Sequence, residues 1–337
     1  MIITRTPYRI SLFGGGSDFP SWYTKEGGKV LAFSINKFCY LNARKLPPFF
    51  NHNYRVSYNK TEEVVEIDQI IHPAFREGIR LYGNAKPLEI HHHGDLPARS
   101  GVGSSSAFAV GLILALKKIN GEILSKIEAA NEAINFEQNI LKENVGSQDQ
   151  ITCALGGFNQ INFLPDGTWK ADAIKLGSDT AKEVESRSVL VYTGISRISS
   201  DYSRNLAEGI NINSSAVRLA ISLADEATNI FNNNGDLDQI GLMLQEGWRL
   251  KQEINPLSSS LQLQEFIGRA TRAGAIGGKV LGAGGGGFCL FWLKKDSRED
   301  FISKFGPALV VPFKIENSGS EIIFDSIDSG VPSKVKY

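Results

Sequence analysis

Apolar and polar residues alternate at the start of the chain and predict a β-strand from Ile2 to Leu12. Alternation with a period of two places every second side chain on the same face of a sheet. The strand runs into three consecutive glycines, Gly14 to Gly16. Shorter stretches of the same pattern predict a hairpin at residues 29–34 and 37–41, with further strands at 54–58, 63–67 and 88–93. The start of the chain is therefore predicted to form a sheet.

Helical periodicity replaces this alternation towards the middle of the chain. A nearly uninterrupted apolar run predicts a buried helix that begins at residues 104–106 and continues to Leu116. A second helix is predicted from Ser125 to Glu143, where apolar residues at about 100° per residue fill roughly half of the circumference. Glu137 falls inside this apolar arc. A buried carboxylate needs a partner, which a bound cation or an Arg or Lys ion pair would supply.

A third helix is predicted to begin within Ser147-Gln148-Asp149-Gln150. Ser147 takes the N-cap position and Gln150 follows three residues later, which is the spacing of a capping box. Asp149 would then lie ionised in the first turn. Carboxylates are common at that position because they complement the helix dipole, so the position alone assigns no role to Asp149.

The second half of the chain begins near Ser188 with an apolar strand, and helices are predicted at residues 215–231, 236–253 and 259–274. Two apolar strands then flank Gly284 to Gly287. A shorter turn would have joined them, so the extra glycines favour a loop that approaches a ligand closely. A helix at 296–305 and strands at 309–313 and 321–324 are expected to complete this layer.

Length and composition favour a globular protein of two domains. The chain has 337 residues, of which 42% are hydrophobic and 21% charged, and we expect domains at 1–180 and 181–337. The 36 basic and 36 acidic residues balance, so bulk charge predicts neither a nucleic-acid nor a membrane partner. The sequence shows no signal peptide or apolar run of membrane-spanning length. Its three scattered cysteines fit a cytoplasmic location.

The segment DLPARSGVGSSSAFAVGLILAL, residues 95–116, carries the strongest chemical signal. Gly101 and Gly103 allow the backbone to approach a ligand closely. Ser104 to Ser106 coincide with a helix N-terminus, where free amides and the helix dipole favour an anion. A phosphate cradle and an ordinary glycine turn with a serine N-cap both fit this pattern. The lysine of a P-loop is missing, and the dinucleotide fingerprint is matched only weakly.

The glycine run at the end of the first strand leads through Ser17 into Asp18. A carboxylate held there could accept hydrogen bonds from sugar hydroxyls, and Trp22 and Tyr23 could offer flat faces to a sugar ring. A turn-ending aspartate with aromatic residues in the core is the alternative. The three histidines at 91–93 would alternate between faces of a strand and therefore do not predict a metal site.

Three segments together resemble the motifs of the GHMP kinases, the superfamily of galactokinase, homoserine kinase, mevalonate kinase and phosphomevalonate kinase. They are residues 7–18, 97–107 and 279–288, in that order. TPYRISLFGGGSD and LPARSGVGSSSAF look most like bacterial kinases that phosphorylate the anomeric hydroxyl of D-glycero-D-manno-heptose 7-phosphate. Galactokinases carry a Glu-His pair where Gly15 and Gly16 stand, so galactose is less expected. The role of Arg99 stays open.

The resemblance implies an α+β fold of two domains with the active site in the cleft between them. The N-terminal domain would resemble domain 2 of ribosomal protein S5, and the C-terminal domain would have ferredoxin-like-related α/β layers. ATP, Mg²⁺ and a small sugar phosphate are the implied ligands, and a homo-oligomer is compatible with the family. The alternatives are a kinase for an unphosphorylated sugar such as fucose, a sensor that binds sugar and ATP without transfer, and a dehydrogenase.

The resemblance also implies residue roles. Asp149 would face the acceptor hydroxyl beside Arg9, while Ser105 and Glu137 would hold Mg²⁺. The residues expected to contact ATP are Pro97, Gly101, Val102, Gly103, Ser104, Ser105 and Ser106. Those expected at the acceptor are Gly15, Gly16, Ser17, Asp18, Gly285 and Gly286. We further hypothesise that Arg197, together with Arg204, clamps a phosphate that the acceptor already carries, because arginine is suited to binding phosphate.

Overall fold

The structure, a computed structural model, describes residues 1–84, 86–195 and 199–326. Within them, one large sheet contains the strands β1 (Ile2–Phe13), β2 (Gly28–Lys45), β3 (Tyr54–Ser57), β4 (Thr61–Val64), β5 (Leu88–Gly94), β6 (Phe158–Phe163), β7 (Trp169–Ala173) and β12 (Glu321–Asp325). The strand order is β12-β1-β2-β5-β3-β4, and the pair β6-β7 joins through β2. The pairing is antiparallel except between β3 and β5.

A smaller antiparallel sheet belongs to the second half of the chain. Its strands are β8 (Ser188–Tyr192), β9 (Ala275–Val280), β10 (Phe288–Leu293) and β11 (Leu309–Val311), in the order β11-β8-β10-β9. All six residues of β10 are buried, because this strand pairs with β8 on one side and β9 on the other. A division of the chain near residue 180 stays a proposal.

Helices cover both sheets. They are α1 (Pro20–Glu26), α2 (Pro73–Tyr82), α3 (Ser104–Ile119), α4 (Lys126–Asn135), α5 (Gln148–Leu155), α6 (Ser178–Arg187), α7 (Ser199–Ile212), α8 (Ser214–Asn232), α9 (Asp238–Ile254), α10 (Leu261–Arg272) and α11 (Arg298–Phe305). The apolar helix α3 packs on β1 and β2 and is surrounded by α2, α4 and α5, as its sequence predicts. Helix α8 packs on β1 and β2 as well, so it links the two halves.

The predicted hairpin at residues 29–41 is wrong, because the structure has one long strand, β2, in its place. Pro7 of β1 pairs with Phe38 and Tyr8 pairs with Ile35, so two residues of β2, Asn36 and Lys37, bulge out of the ladder. The polar interruption that resembled a turn is therefore a bulge. The backbone amide of Asn36 donates to the carbonyl of Lys314, and the amide of Lys314 donates to Asn36 Oδ1.

The predicted helix at 125–143 is interrupted. Regular α-helix ends at Asn135, and a turn with π-helical hydrogen bonding follows at Phe136–Ile140. Such a turn inserts an extra residue and changes which side chains face inward. Glu137 nevertheless lies inside, with 1% of its surface exposed, as the apolar arc predicts.

The expected place of the last strand is also wrong. Residues 321–325 form β12, which pairs with β1 in the large sheet instead of completing the small one. The last described strand therefore joins the sheet that the first half of the chain forms. Alternating apolar and polar residues predict a strand but cannot choose its partner when two sheets each have an open edge.

No helix in the described part of the chain combines the length and the apolar character needed to cross a membrane.

Candidate active site

Two adjoining cavities lie where the halves meet. The glycine-loop cleft lies between Gly101, Gly103, Ser104 and Ser105 on one side and residues 281–287 on the other. The inner cavity lies between the glycine turn that ends β1, the start of α5, and helices α7 to α9. Arg9 and Asp149 line both cavities. A group bound in one cavity therefore meets a group bound in the other at this pair.

Helix α3 begins as predicted, at Ser104, directly after the glycine loop. Gly103 adopts a left-handed conformation with φ of 74°, which an L residue with a side chain rarely takes. The Ser104 hydroxyl accepts a hydrogen bond from the backbone amide of Arg99, while Ser105 is exposed at the mouth of the cleft. The first amides of α3 have no helical acceptor and so favour an anion in this cleft.

The loop between β9 and β10 packs directly on the first glycine loop. The amide of Phe288 donates to the carbonyl of Ser100 at 3.0 Å. A Cβ added to Gly101 would lie 2.7 Å from the carbonyl oxygen of Leu281, and one added to Gly287 would overlap the carbonyl of Ser100. Close backbone packing between the loops thus explains part of the glycine content. Gly285 and Gly286 line the glycine-loop cleft and not the inner cavity.

Arg9 and Asp149 form an ion pair with two hydrogen bonds. Arg9 Nε donates to Asp149 Oδ1 at 2.7 Å, and Nη2 donates to Oδ2 at 2.5 Å. Arg9 Nη1 donates to the carbonyl of Gly101 at 2.5 Å. The Arg9 side chain is 4% exposed, whereas that of Asp149 is 24% exposed. The guanidinium therefore fixes the carboxylate from behind and leaves part of it facing the cavities.

Asp149 lies in the first turn of α5, as predicted, but the predicted capping box is wrong. Ser147 has helical backbone angles, and its hydroxyl does not cap the helix. That hydroxyl instead accepts a hydrogen bond from Gln138 Nε2 at 3.0 Å. The Gln150 side chain turns inward to Glu137. Buried polar contacts thus compete successfully with local capping.

Glu137 is buried beside α3 without a cationic side chain. Ser106 Oγ donates to its Oε2 at 2.7 Å, and Gln150 Nε2 donates to the same oxygen at 2.5 Å. Among the described residues, no Lys, Arg or His forms an ion pair with Glu137. Burial, reinforced by the charge of Glu143, raises the pKa of Glu137 to about 7. The described residues therefore do not provide the ion-pair partner that was the alternative to a cation.

Asp18 lines the inner cavity with Gly15 and Gly16. Its Oδ1 accepts a hydrogen bond from the Gly16 amide at 2.9 Å, and it is 2% exposed. Burial, with the nearby charge of Asp149, raises the pKa of Asp18. Ser17 is not at the cavity, since its hydroxyl donates within the turn to the carbonyls of Gly14 and Lys29.

The aromatic residues after Asp18 belong to the core. Trp22 and Tyr23 are buried, and the Tyr23 ring stacks on Phe163 with centroids 5.2 Å apart. Neither lines the inner cavity. The turn-and-core alternative is therefore correct for these two residues, and the flat sugar platform is not formed.

Other predicted residues have supporting positions or lie outside the described chain. Val102 is fully buried, and its carbonyl accepts from the Arg9 amide at 3.0 Å. Pro97 accepts from Ser100 Oγ at 2.6 Å, and neither Pro97 nor Val102 lines the cleft. Arg204 is exposed on the glycine-loop cleft. Arg197 lies outside the described residues.

Several charged residues at the cavities have no role predicted from the sequence. Arg99, Lys142 and Glu143 line the glycine-loop cleft, and Lys251 and Lys279 line the inner cavity. A lysine within an otherwise uncharged strand was the available signal for Lys279. Within the described residues, no group of three His, Cys, Asp or Glu side chains is placed to hold a metal ion, so the histidines at 91–93 form no such site.

Two family models match the chain. Residues 69–157 match the GHMP kinases N terminal domain, and residues 223–311 match the GHMP kinases C terminal domain. Together they cover just over half of the chain. The first match contains the loop before α3, Glu137 and Asp149, and the second contains the loop between β9 and β10.

Proteins with known names are similar over most of the chain. A D-glycero-alpha-D-manno-heptose 7-phosphate kinase from Campylobacter jejuni is 28% identical over 313 residues, which cover 89% of this chain and 92% of that protein. A bifunctional fucokinase/GDP-fucose pyrophosphorylase from Arabidopsis thaliana is 25% identical over 320 residues, which cover 87% of this chain and 30% of that protein.

A solved structure has the same fold. The crystal structure of a D-glycero-D-manno-heptose 1-phosphate kinase from Bacteriodes thetaiotaomicron superposes with a TM-score of 0.77. The match covers 97% of this chain and 100% of that chain at 23% identity. The agreement over nearly the whole length shows that both halves, and the junction between them, belong to one known architecture.

Proposed function

Because the chain belongs to the GHMP kinase family, we propose that it is an ATP-dependent sugar kinase that phosphorylates an anomeric hydroxyl. The acceptor that we propose is D-glycero-D-manno-heptose 7-phosphate, and the product is the 1,7-bisphosphate. The similarity to the Campylobacter jejuni enzyme over most of both chains supports this choice. The single observation that carries the proposal is the Arg9–Asp149 pair, which lines both cavities.

We place the phosphates of ATP in the glycine-loop cleft. Its walls supply the amides at the start of α3 and the backbone of two glycine loops that pack against each other. Arg9, Arg99, Lys142 and Arg204 bring positive charge to the same cleft. Phosphoryl transfer passes through a loose transition state with charge on the phosphoryl oxygens, so positioning and neutralisation supply most of the catalysis.

Asp149 is the proposed base. The anomeric oxygen of the acceptor attacks the γ-phosphorus, the bond from that phosphorus to the bridging oxygen breaks, and ADP leaves. The hydroxyl proton passes to the carboxylate of Asp149. Arg9 orients that carboxylate through two hydrogen bonds and places a fixed positive charge beside the reacting groups. A strong base is not required, because the proton is transferred late in a loose transition state.

Glu137 and Ser105 are the proposed ligands of Mg²⁺. The buried Glu137 carboxylate has neutral hydrogen-bond donors and no basic partner among the described residues, so a cation would complete its surroundings. Mg²⁺ prefers oxygen ligands and commonly takes one or two from the protein, with the rest from phosphates and water. The residues present therefore fit the ion. When bound, it neutralises charge on the phosphate oxygens.

The inner cavity is the proposed acceptor site. It presents polar groups on one side, at Asp18 and Gln148, and apolar groups on the other, at Leu206, Leu223 and Ile254. A sugar has hydroxyls and apolar C–H faces, and both kinds of wall suit it. A protein that only senses sugar and ATP would need neither the oriented pair nor the buried carboxylate at their junction.

The proposal is tested with a panel of acceptors, by measuring ADP release with ATP and Mg²⁺ against a reaction without acceptor. The panel contains D-glycero-D-manno-heptose 7-phosphate, the same heptose without phosphate, fucose and galactose. We expect the highest kcat/KM for the heptose 7-phosphate and a ³¹P signal from a phosphate at C1. A higher kcat/KM for fucose than for the heptose 7-phosphate would indicate a fucokinase, as the name of the Arabidopsis relative describes. ADP release that no sugar stimulates would contradict the proposal.

A further inference from the structure

Two lysines reach the inner cavity from different elements of the second half. Lys251 lies on α9, one turn from Gly247 and Ile254, and all three line the cavity. Lys279 lies on β9 and is 7% exposed. Neither lysine lines the glycine-loop cleft, where the ATP phosphates are placed. The proposed transfer step uses Arg9 and Asp149 and assigns no function to either lysine.

Both ammonium groups are held by backbone carbonyls. Lys279 Nζ donates to the carbonyl of Leu12 at 2.9 Å. Lys251 Nζ donates to the carbonyl of Val280 at 2.9 Å and to that of Gly282. An ammonium has three donors, so these bonds leave two donors on Lys279 and one on Lys251. Within the described ranges, neither lysine forms an ion pair with a carboxylate.

The acidic groups of the cavity do not compensate these charges. Asp149 is already paired with Arg9. Asp18 is held by the Gly16 amide, and burial raises its pKa. Burial and the neighbouring cations lower the pKa of Lys279 to about 8 and hold the pKa of Lys251 well below its usual range. Lys279 is buried and Lys251 is partly buried, so their charged forms are costly without a counter-charge, and an anionic ligand would relieve that cost.

We propose that Lys251 and Lys279 form an anion subsite that binds a phosphate monoester already present on the acceptor. This inference rests on the proposed function, because it takes the inner cavity as the acceptor site. A phosphate monoester suits the pair because its two negative charges match two ammonium groups. Its oxygens can also accept from donors that approach from two elements. The hypothesis that Arg204 holds this phosphate is less well supported, since Arg204 lines the other cavity.

The subsite also restricts which sugars are good acceptors. An unphosphorylated sugar in the same cavity would leave both ammonium groups without an anion, and its binding would not recover their desolvation. The preference for a phosphorylated acceptor would then come from the second half of the chain. The hydroxyl that reacts is positioned by the first half, at Asp149.

The test compares Lys251→Met and Lys279→Met with the wild type by calorimetry in the absence of ATP. Methionine keeps a long side chain without charge, and Lys294→Met removes an exposed lysine of the same half as the control. The probes are D-glycero-D-manno-heptose 7-phosphate, the same heptose without phosphate, and inorganic phosphate. We expect each cavity variant to lose affinity for the heptose 7-phosphate by on the order of 10–100-fold. The loss for the free heptose should be at least tenfold smaller.

Equal losses for the phosphorylated and free heptose, or no loss for either, would overturn the subsite. A thermal transition and an ATP-analogue affinity near those of the wild type would show that each variant is folded. Binding needs no turnover, so this test remains decisive if no sugar is phosphorylated. In that case the proposed function fails, while lysine-dependent binding of inorganic phosphate would still support the anion subsite and its absence would overturn it.

Discussion

Asp149 is held in a single orientation by Arg9. Two hydrogen bonds from Arg9 orient the carboxylate, and a third bond from Arg9 to Gly101 ties the pair to the glycine loop before α3. A change in that loop would therefore be transmitted to the proposed base through one side chain. The pair is an ion pair with restricted access to water, so its geometry matters more than its net contribution to stability.

Asp149→Asn keeps the size of the side chain but removes the base. We expect kcat to fall by a factor on the order of 10²–10⁴, because the acceptor proton then has no positioned carboxylate to receive it. The affinity for an ATP analogue, measured by calorimetry, should stay near that of the wild type. Turnover close to the wild-type rate would remove Asp149 from the mechanism.

Glu137→Gln tests the buried carboxylate through its pH dependence. The folded protein holds the Glu137 proton with a pKa of about 7 against an ordinary value of 4.5. Folded protein therefore binds this proton more tightly than unfolded protein, and ionisation destabilises the fold as pH rises from 4.5 to 7. Without ligands, the glutamine variant should be more stable than the wild type at pH 8, by at most about 3 kcal/mol. The difference should be small at pH 5.

The same variant should need more Mg²⁺ for half-maximal activity at pH 8, because an amide is a poorer ligand than a carboxylate. For the wild type, the Mg²⁺ requirement should rise as pH is lowered through 7, where the carboxylate takes up its proton. Melting curves and Mg²⁺ titrations at the two pH values check both effects. An unchanged titration would exclude Glu137 as a ligand, whatever the melting curves show.

The sequence predicts the position of a single residue well when its chemical type contrasts with its neighbours on the same face of an element. Glu137 was identified because a carboxylate fell within an apolar arc, and burial bears this out. Ser17 was misplaced because a sequence motif does not say which of its members turn back into the loop. Lys251 was overlooked because it lies outside the three motifs, and Lys279 because only the glycines of the third motif indicated a ligand, although each lysine interrupts an otherwise apolar segment.

Among the elements, the connection between the π-helical turn and α5 contributes part of the wall of the inner cavity. Helical periodicity predicts neither the turn at 136–140 nor the lost cap at Ser147, because both depend on contacts with distant residues. The Gln138 side chain donates a hydrogen bond to Ser147, and the Gln150 side chain donates one to Glu137.

Gly146, in this connection, lies against Asp18. A Cβ there would overlap the carboxylate of Asp18, so Gly146→Ala should displace that side chain. We expect a higher KM for the acceptor and an unchanged KM for ATP, measured in the same coupled assay. Gly177→Ala is the matched control, because a Cβ at Gly177 meets nothing within 4 Å. Equal effects of the two substitutions on the acceptor KM would count against a role for Asp18 in acceptor binding.

The molecule as a whole is organised around the junction of its two halves. The large sheet supplies Arg9 and Asp18 near the end of β1, and the small sheet supplies the loop between β9 and β10. The family resemblance predicts this two-domain fold from three short motifs. The return of β12 to the large sheet could not be predicted, because strand pairing between distant segments leaves little trace in local pattern.

Gly287→Ala should separate the two glycine loops. A Cβ at Gly287 would overlap the carbonyl of Ser100, and the φ of 78° adds backbone strain. We expect a KM for ATP raised by roughly tenfold or more, since about 1.4 kcal/mol of lost loop contact corresponds to tenfold. Gly306→Ala is the control, with a φ of 80° and open space around it. If both variants change the KM for ATP alike, strain and not the loop junction is responsible.

The most direct measurement is a crystal structure of the chain with Mg²⁺, a non-hydrolysable ATP analogue and D-glycero-D-manno-heptose 7-phosphate. The account predicts the triphosphate between the two glycine loops and the sugar in the inner cavity. The anomeric hydroxyl should lie within hydrogen-bonding distance of the Asp149 carboxylate. A triphosphate bound elsewhere, or a sugar whose hydroxyls all lie beyond the reach of Asp149, would contradict it.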